Sequence, residues 1–377
     1  MPIARLEPAY LELQREARAL AESVEPFAAE ADESSAVDAR VLDRLRASGL
    51  CGVAVPAGWG GRSESVDPLA VAVVREALMG SSSQLDSLFA LQGIGSYAIA
   101  RGGSDAQRDR WLPDVAGGAV LAGLALTERD AGSDLKAVAT TLQPTADGLM
   151  LRGEKSFISN AGAAGFYTVL AREDAGLSLV LVEADAPGVS VTRTQEIIAP
   201  HVLGDLHFDG VMLPPSARIG APGGGLELVL ATLGVFRASV AAAAVGLAQA
   251  ALEEATRHAA SRSQFGRPLA RHGPVAALLA DSWTEIEMAR LLTYRAAELA
   301  RDDPQGALNW SSMAKLAATE MASRVVDRSV QAMGRWGLSR DRKIERLYRQ
   351  ARPMRIYEGA SEVLRLGIAR TLVDTLE

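Results

Sequence analysis

Proline placement constrains this chain most. A proline inside a helix removes a backbone hydrogen bond and clashes with the preceding turn, so long runs without one are where continuous helix can form. Gly223 to Arg267 is such a run, and so are Val275 to Asp303 and Gln305 to Arg352. In the first, Leu226, Val229, Leu230 and Leu233 recur at helical spacing before the alanine run Ala241 to Ala244, which predicts a long, closely packed helix. In the second, Leu279, Trp283 and Ile286 share a face. The C-terminal third therefore reads as an antiparallel helical bundle.

The N-terminal third is also helical. Leu13, Ala17, Leu20 and Val24 lie on one face, and Asp67-Pro68 offers a cap followed by proline in the first turn. Between the helical regions, from about Leu121 to Gly220, the pattern changes to short β-type runs such as Phe166 to Leu170 and Leu177 to Val182. Turns fall at Asp147-Gly148 and Pro187-Gly188. The expectation is an α+β chain, mainly α: an N-terminal helical domain (1–120), a middle antiparallel β domain (121–221) and a C-terminal helical bundle (222–377). At 377 residues the chain exceeds one ordinary core, which agrees with such a division.

Composition narrows the partners. An apolar fraction of 48% with 23% charged residues belongs to a globular protein. A formal charge of -7 without a Lys/Arg block argues against nucleic acid or an anionic membrane as the main partner, while a phosphate-rich small ligand needs only a local basic patch. Cys51 is the only cysteine, which excludes an internal disulfide and fits a reducing cytoplasm; its expected place is a small buried hydrophobe. Met1 to Glu16 carries charges and no long apolar run, so neither a signal peptide nor a span is expected there and the protein is placed in the cytoplasm. His201, His207, His258 and His272 lack ligand spacing, and no metal is expected.

Five segments carry candidate chemistry. The run Leu126-Thr127-Glu128-Arg129-Asp130-Ala131-Gly132-Ser133-Asp134 is longer than a plain turn requires. Its small residues let backbone amides approach a ligand, and Thr127 and Ser133 add hydroxyls, although an ordinary polar loop has the same composition. In Gly153 to Gly162 a strand pattern ends in Ser-Asn-Ala-Gly, with Phe157 and Ser159 on one face. A ring beside a hydroxyl suits a flat heterocycle, and core packing of Phe157 is the plainer alternative. Arg262-Ser263-Gln264-Phe265-Gly266-Arg267-Pro268 ends the long helix; Arg262 there either answers the helix dipole or clamps a diphosphate. Gln331-Ala332-Met333-Gly334-Arg335-Trp336-Gly337 places two glycines in a helical stretch, a plain helix end or a ligand approach. Arg355-Ile356-Tyr357-Glu358-Gly359-Ala360-Ser361-Glu362 sets a carboxylate beside a glycine just before the last helix, where capping is the plain role.

Taken in this order and at these separations, with Val55-Pro56 to Gly60-Gly61 near the start, the five segments make a sequence that resembles the acyl-CoA dehydrogenase family over essentially its whole length. The resemblance implies a FAD-dependent oxidoreductase. In it, Leu124, Leu126, Thr127 and Ser133 line the cofactor and acyl-CoA, and Ser159 hydrogen-bonds near flavin N5. Phe157 and Ser159 stand where the family usually has tryptophan and threonine. Arg262, Gln264 and Phe265 resemble a segment that reaches the FAD of a neighbouring subunit, with Gln331 and Gly334 receiving the diphosphate and Ala360 and Glu362 also at the cofactor. This implies a homo-oligomer, usually a tetramer. Arg335 replaces a common glycine, and Gly273 stands where glutamine is common.

Tyr357-Glu358-Gly359 matches the family's catalytic segment, so the resemblance gives Glu358 the role of base for the α-proton of the acyl thioester. The β-hydride then passes to flavin N5 and a trans-2-enoyl-CoA results. Ser133, Arg237, Tyr357 and Gly359 are the implied substrate contacts, and an electron-transferring flavoprotein is the implied acceptor. Some relatives carry the base at the place of Phe236, which cannot accept a proton. Burial should raise the pKa of Glu358 and the following helix N-terminus should lower it, an opposition the sequence leaves open. Phe236 and Trp336 suit a short, branched or cyclic acyl group only if both point into its pocket. Two other functions fit the same segments: non-redox elimination on a short acyl-CoA, of the desulfinase kind, and a catalytically silent acyl-CoA-binding subunit.

Overall fold

The computed structural model describes residues 6–193 and 195–376. Five helices come first: α1 (Pro8–Asp32), α2 (Ala39–Ser48), α3 (Pro68–Met79), α4 (Ser83–Gly102) and α5 (Asp105–Ala116). Strands follow as β1 (Ala122–Ala125), β2 (Thr141–Thr145), β3 (Gly148–Ser159), β4 (Phe166–Glu173), β5 (Gly176–Glu183), β6 (Val189–Thr192), β7 (Leu203–Leu213) and β8 (Arg218–Ile219). The remainder is α6 (Gly225–Ser261), a two-strand hairpin of β9 (Ser263–Gln264) and β10 (Arg267–Pro268), then α7 (Gly273–Asp302), α8 (Leu308–Met333), α9 (Lys343–Met354) and α10 (Ser361–Asp374). The class is α+β and mainly α, as the pattern of prolines and β-type runs predicts.

The described residues form two compact units. One comprises those within Met1–Asp32, Pro68–Asp86 and Leu233–Glu377, the other those within Glu33–Asp67 and Ser87–Thr232. The N-terminal helical region thus contributes to both.

The second unit is built on a sheet ordered β6-β7-β3-β2-β4-β5-β8, with β1 beside β4. Most ladders are antiparallel, but β1 and β2 each pair with β4 in parallel, so the sheet is mixed where an antiparallel one was expected. Both parallel contacts lie on the edge of β4 away from β5, β1 along Phe166–Val169 and β2 at Arg172, because the loop from Leu126 to Thr140 carries the chain onward along that edge without a hairpin. The turn at Asp147-Gly148 closes the long β2–β3 hairpin, and β3 pairs along β7 with shifts at Leu151/Gly153 and Lys155/Ile158. The second shift is a bulge, which re-aims the side chains at the end of β3. Leu142, Leu151, Val169, Val180, Leu206 and Val211 fill the space on the sheet's inner face. At the helical side, Ser104 and Gln107 form a reciprocal capping box that starts α5, a feature worth roughly 1 kcal/mol.

The first unit is a helical core around α6. Ala241 to Ala244 are all completely buried. Such small side chains let helices approach: a Cβ on Gly246 would lie 1.9 Å from the carbonyl oxygen of Glu76 on α3. The helix is long and apolar enough to cross a membrane, yet most of its apolar window is inside the protein, which is the signature of a core helix. Leu13, Ala17, Leu20 and Val24 of α1 are buried together as the periodicity predicts. On α7, Ile286 is buried but Trp283 is 58% exposed, so the expected apolar face is only partly covered within this chain. The proline-free stretch after Gln305 is two helices, α8 and α9, broken by a 3-10 turn from Gly334 to Leu338. Cys51 is buried and its thiol is pushed up to about 12 by desolvation.

Candidate active site

Four residues other than glycine have positive φ among those described: Phe157, Asn160, Phe265 and Glu358. Left-handed backbone costs a side-chain-bearing residue about 1 to 3 kcal/mol and persists where the surroundings force it, commonly at functional sites. All four lie in segments singled out from the sequence.

Glu358 lies in the turn between α9 and α10, at φ +53°, followed by Gly359 at φ +107°. Two cations hold this turn by its carbonyls. Arg237 of α6 donates from Nε to the Glu358 carbonyl oxygen at 2.8 Å and from Nη1 to Ser312 Oγ at 3.1 Å. Lys315 of α8, with no exposed surface, donates from Nζ to the Gly359 carbonyl at 2.7 Å. A side chain at 359 would be strained by φ and would lie 3.0 Å from Arg237 Nη2 and from Leu364, crowding both. Both cations therefore grip the backbone and leave the carboxylate alone.

That carboxylate is unusual. Its Oε2 is buried and lacks a hydrogen-bond partner among the described residues, as does the Glu358 N–H. A buried unpaired carboxylate oxygen is expensive and calls for a ligand or a chemical role. Desolvation raises the pKa of Glu358 above the ordinary carboxylate value, outweighing the pull of Arg75, Arg237 and Lys315 in the other direction. Desolvation also pulls Lys315 down, to about 8, although the Glu358 charge works against it. Arg75 and Asp86 form a buried bidentate pair at 2.9 and 2.6 Å, with Arg75 Nη1 also on Ser239 Oγ at 3.0 Å. Desolvation opposes the guanidinium charge there, and Asp86 more than restores it. Tyr357, beside the base, is partly exposed, and burial of its hydroxyl region raises its pKa.

The second unit carries the other candidate segments. Leu126 to Asp134 is a loop after β1, pinned from beneath by Glu128. That carboxylate accepts the backbone N–H groups of Ala139 (2.6 Å) and Thr140 (3.0 Å) and the ammonium of Lys155 (2.7 Å), which also donates to the Leu126 carbonyl at 3.0 Å. Burial alone would raise Glu128, but these donors bring it below its ordinary value. Ser156 N–H donates to the Thr127 carbonyl at 2.9 Å, tying loop to strand. The bulge in β3 turns Phe157 outward, 53% exposed, with its N–H on Asp205 at 3.1 Å. Phe157 therefore does not pack in the core. It borders a cleft of about 600 Å³ together with Thr127, Arg129, Gly132, Glu154 and His207. Leu124, Leu126, Thr127 and Ser159 are half-buried and Ser133 is exposed. Ser159 Oγ lies 3.0 Å from His201 Nε2.

The outlying candidates of the first unit are all at its surface. Arg262, Gln264 and Phe265 sit on the β9–β10 hairpin, where Phe265 is 96% exposed at φ +50°. Gln331 and Gly334, at the end of α8, are exposed, as is Glu362 in the first turn of α10, with Ala360 as its half-buried N-cap. Arg335 lies over the Trp336 ring at 5.1 Å, shared with Arg342 at 5.3 Å. Gly273 opens α7 with free space around it. Phe236 is buried, and Trp336 is engaged by two guanidinium groups.

Sequence reasoning missed Lys315, Lys155, the Arg75–Asp86 pair and His201. A usable signal existed for the lysines. Lys315 interrupts the small-residue face of α8, and Lys155 falls at an inward position of β3.

A scan against family models matches the acyl-CoA dehydrogenase N-terminal domain at residues 8–119, the middle domain at 123–211 and the C-terminal domain at 223–373. Cyclohex-1-ene-1-carbonyl-CoA dehydrogenase of Geobacter metallireducens is 35% identical over 358 residues, 93% of this chain and 94% of that protein. Butyryl-CoA dehydrogenase from Megasphaera elsdenii superposes with a TM-score of 0.94 at 29% identity, covering 98% of this chain and 99% of that one. A glutaryl-CoA dehydrogenase from Mycobacterium smegmatis, solved in complex with FADH2, gives 0.91 at 25% identity over 97% and 95% of the two chains. Fold and relatives define an oxidoreductase. The chain belongs to the acyl-CoA dehydrogenase family.

Proposed function

We propose that this protein is a FAD-dependent acyl-CoA dehydrogenase in which Glu358 removes the α-proton of an acyl-CoA thioester to yield the trans-2-enoyl-CoA. The observation that carries this reading is the Glu358 carboxylate, buried, unpaired at Oε2, and held by contacts to its backbone only. A proton abstracted from carbon needs a base poised above the ordinary carboxylate range and free of competing donors, and desolvation supplies both conditions. Arg237 and Lys315 fix the turn, so that little motion of the carboxylate is required. The free N–H of Glu358 can donate to the thioester carbonyl as negative charge develops on it. Tyr357 and Gly359 flank that place, and Arg237 serves it from behind through the Glu358 carbonyl.

FAD fits the residues present. The second unit offers an outward aromatic ring at Phe157, hydroxyls at Thr127, Ser133 and Ser159, and half-buried Leu124 and Leu126, a set suited to a flat, hydrogen-bonding heterocycle. When bound, FAD supplies the two-electron acceptor for the β-hydrogen. Arg262 and Gln264 would hold its diphosphate side, with Gln331, Gly334, Ala360 and Glu362 also at the cofactor. A hairpin that exposes Phe265, and a helix that exposes Trp283 and Met288, support a homo-oligomer in which these surfaces are covered. We infer a tetramer, with Phe265 reaching a neighbouring subunit, in a reducing cytoplasm that suits the lone Cys51. An electron-transferring flavoprotein is the acceptor that the family resemblance favours, and a cyclic or short acyl group is the substrate class that the cyclohexene-carbonyl relative favours.

The test is anaerobic titration of the purified protein with butyryl-, isobutyryl-, cyclohexanecarbonyl- and octanoyl-CoA while the flavin band is recorded, with Glu358→Gln as control. Bleaching in the wild type alone supports the reading. Bound flavin with no bleaching by any thioester points to non-redox elimination, and a protein that binds no flavin points to a silent subunit.

A further inference from the structure

His201 takes no part in the chemistry described so far. It lies between β6 and β7, with its Nε2 3.0 Å from Ser159 Oγ and 3.5 Å from Ser87 Oγ of α4. Strand pairing fixes this spacing: Asn160 N–H donates to the Val202 carbonyl at 2.9 Å, so the residues after Ser159 and after His201 are locked side by side. Ser87, Ser159 and His201 are each half-buried, while Leu88, Ile158, Asn160 and Val202 beside them are buried. Each of the three therefore keeps some exposed surface. Desolvation pulls the imidazole down to about 4, so at neutral pH the ring is uncharged and carries one proton, on either nitrogen.

A serine hydroxyl has one hydrogen to give. If Nε2 lacks a proton it takes that hydrogen, and Ser159 turns a lone pair toward whatever lies on its exposed side. If Nε2 carries a proton it donates to Ser159 Oγ, and the hydroxyl hydrogen is released to that exposed side. The partner of Ser159 that the family resemblance implies is flavin N5, an acceptor when the ring is oxidised and an N–H donor when it is reduced. We propose that His201 is a positioning residue that lets Ser159 alternate between donor and acceptor, with the imidazole tautomer following the redox state of the flavin. This rests on the flavin site proposed above. No net proton leaves the imidazole: when Nε2 gains a hydrogen Nδ1 gives one up to water, and the reverse occurs in the other state. Without the ring, the oxidised state keeps its bond from Ser159, whereas in the reduced state the hydroxyl hydrogen loses the acceptor that Nε2 provides. The reduced state is then the one that loses.

The experiment uses holoenzyme labelled with 15N-histidine, oxidised and then reduced with dithionite, with the His201 signals identified by their loss in His201→Gln. Protonation at Nε2 in the oxidised protein and at Nδ1 in the reduced one is the expected result. One tautomer in both states overturns the inference. In parallel, the flavin midpoint potential of His201→Leu should fall by about 30 mV, a tenfold change for a two-electron couple, while His201→Gln, whose amide can also give or accept, should stay close to wild type. A wild-type potential in His201→Leu also overturns it, and so does an equal fall in His201→Gln, which is what a merely structural role would give. A preparation that binds no flavin on reconstitution sinks the proposed function itself and this inference with it. A yellow preparation with a fixed tautomer sinks the inference alone.

Discussion

Lys315→Met separates what the Glu358 turn costs in stability from what it contributes to rate. In the native protein the ammonium is fully buried, and its pKa falls from 10.5 to about 8. At roughly 1.4 kcal/mol per pKa unit, keeping it charged at pH 7 costs on the order of 3 kcal/mol. Methionine removes that cost but also removes the bond to the Gly359 carbonyl, worth roughly 1 to 3 kcal/mol once the oxygen is left unpaired. The variant should therefore be close to wild type in stability at pH 7. The native pKa lies below the unfolded one, so between about pH 8 and 10.5 the unfolded chain binds more protons and the lysine's contribution to stability rises with pH. Denaturant unfolding of both proteins from pH 7 to 10 should show the wild type gaining on the variant by about 1.4 kcal/mol per pH unit above 8. Loosening the turn should lower kcat by about 10- to 100-fold. A stability difference that is flat across this range would refute the burial account of Lys315, and an unchanged kcat would refute its grip on the turn.

Glu358→Gln should cut turnover by at least about 10³-fold while leaving the fold intact and slightly more stable, because a desolvated carboxylate is replaced by a neutral amide; steady-state rates and thermal unfolding check both halves. Since desolvation raises its pKa, kcat/KM in the wild type should climb with pH through a midpoint above the ordinary carboxylate value, and a midpoint at or below 4.5 contradicts the site geometry. Glu128→Ala strands the buried Lys155 ammonium and should destabilise the second unit by about 3 to 5 kcal/mol, seen as an early transition in unfolding. Phe265→Ala touches almost nothing within the chain, so monomer stability should hold while the oligomer and flavin retention weaken, measured by light scattering and the absorbance ratio.

The helical parts were legible because proline placement and apolar spacing act locally. The α6 run and the buried face of α1 follow from these alone. The parallel contacts of β1 and β2 with β4 were not legible, since strand order depends on how the Leu126–Thr140 loop is routed. From its own segment Glu358 reads as a capping acid beside a glycine, and the role of base comes from the family resemblance of the five segments together. The resemblance implies Arg237 as a substrate contact, but its grip on the Glu358 carbonyl and the role of Lys315 were not legible, because α6 and α8 meet the turn only in three dimensions. Trp283 shows the opposite limit: periodicity put it on an apolar face and could not say that the chain leaves that face uncovered.

The clamp on residues 358 and 359 engages carbonyl oxygens, which every amino acid possesses. Identity at 358 is consequently disconnected from the architecture that aims it. An ancestor could have exchanged the side chain there, or lost its acidity altogether, without dismantling the cradle around it. Descendants with new reactions, or with none, can therefore arise from this scaffold by a single codon change, and position 358 is the natural site at which to install an unnatural base or nucleophile by design.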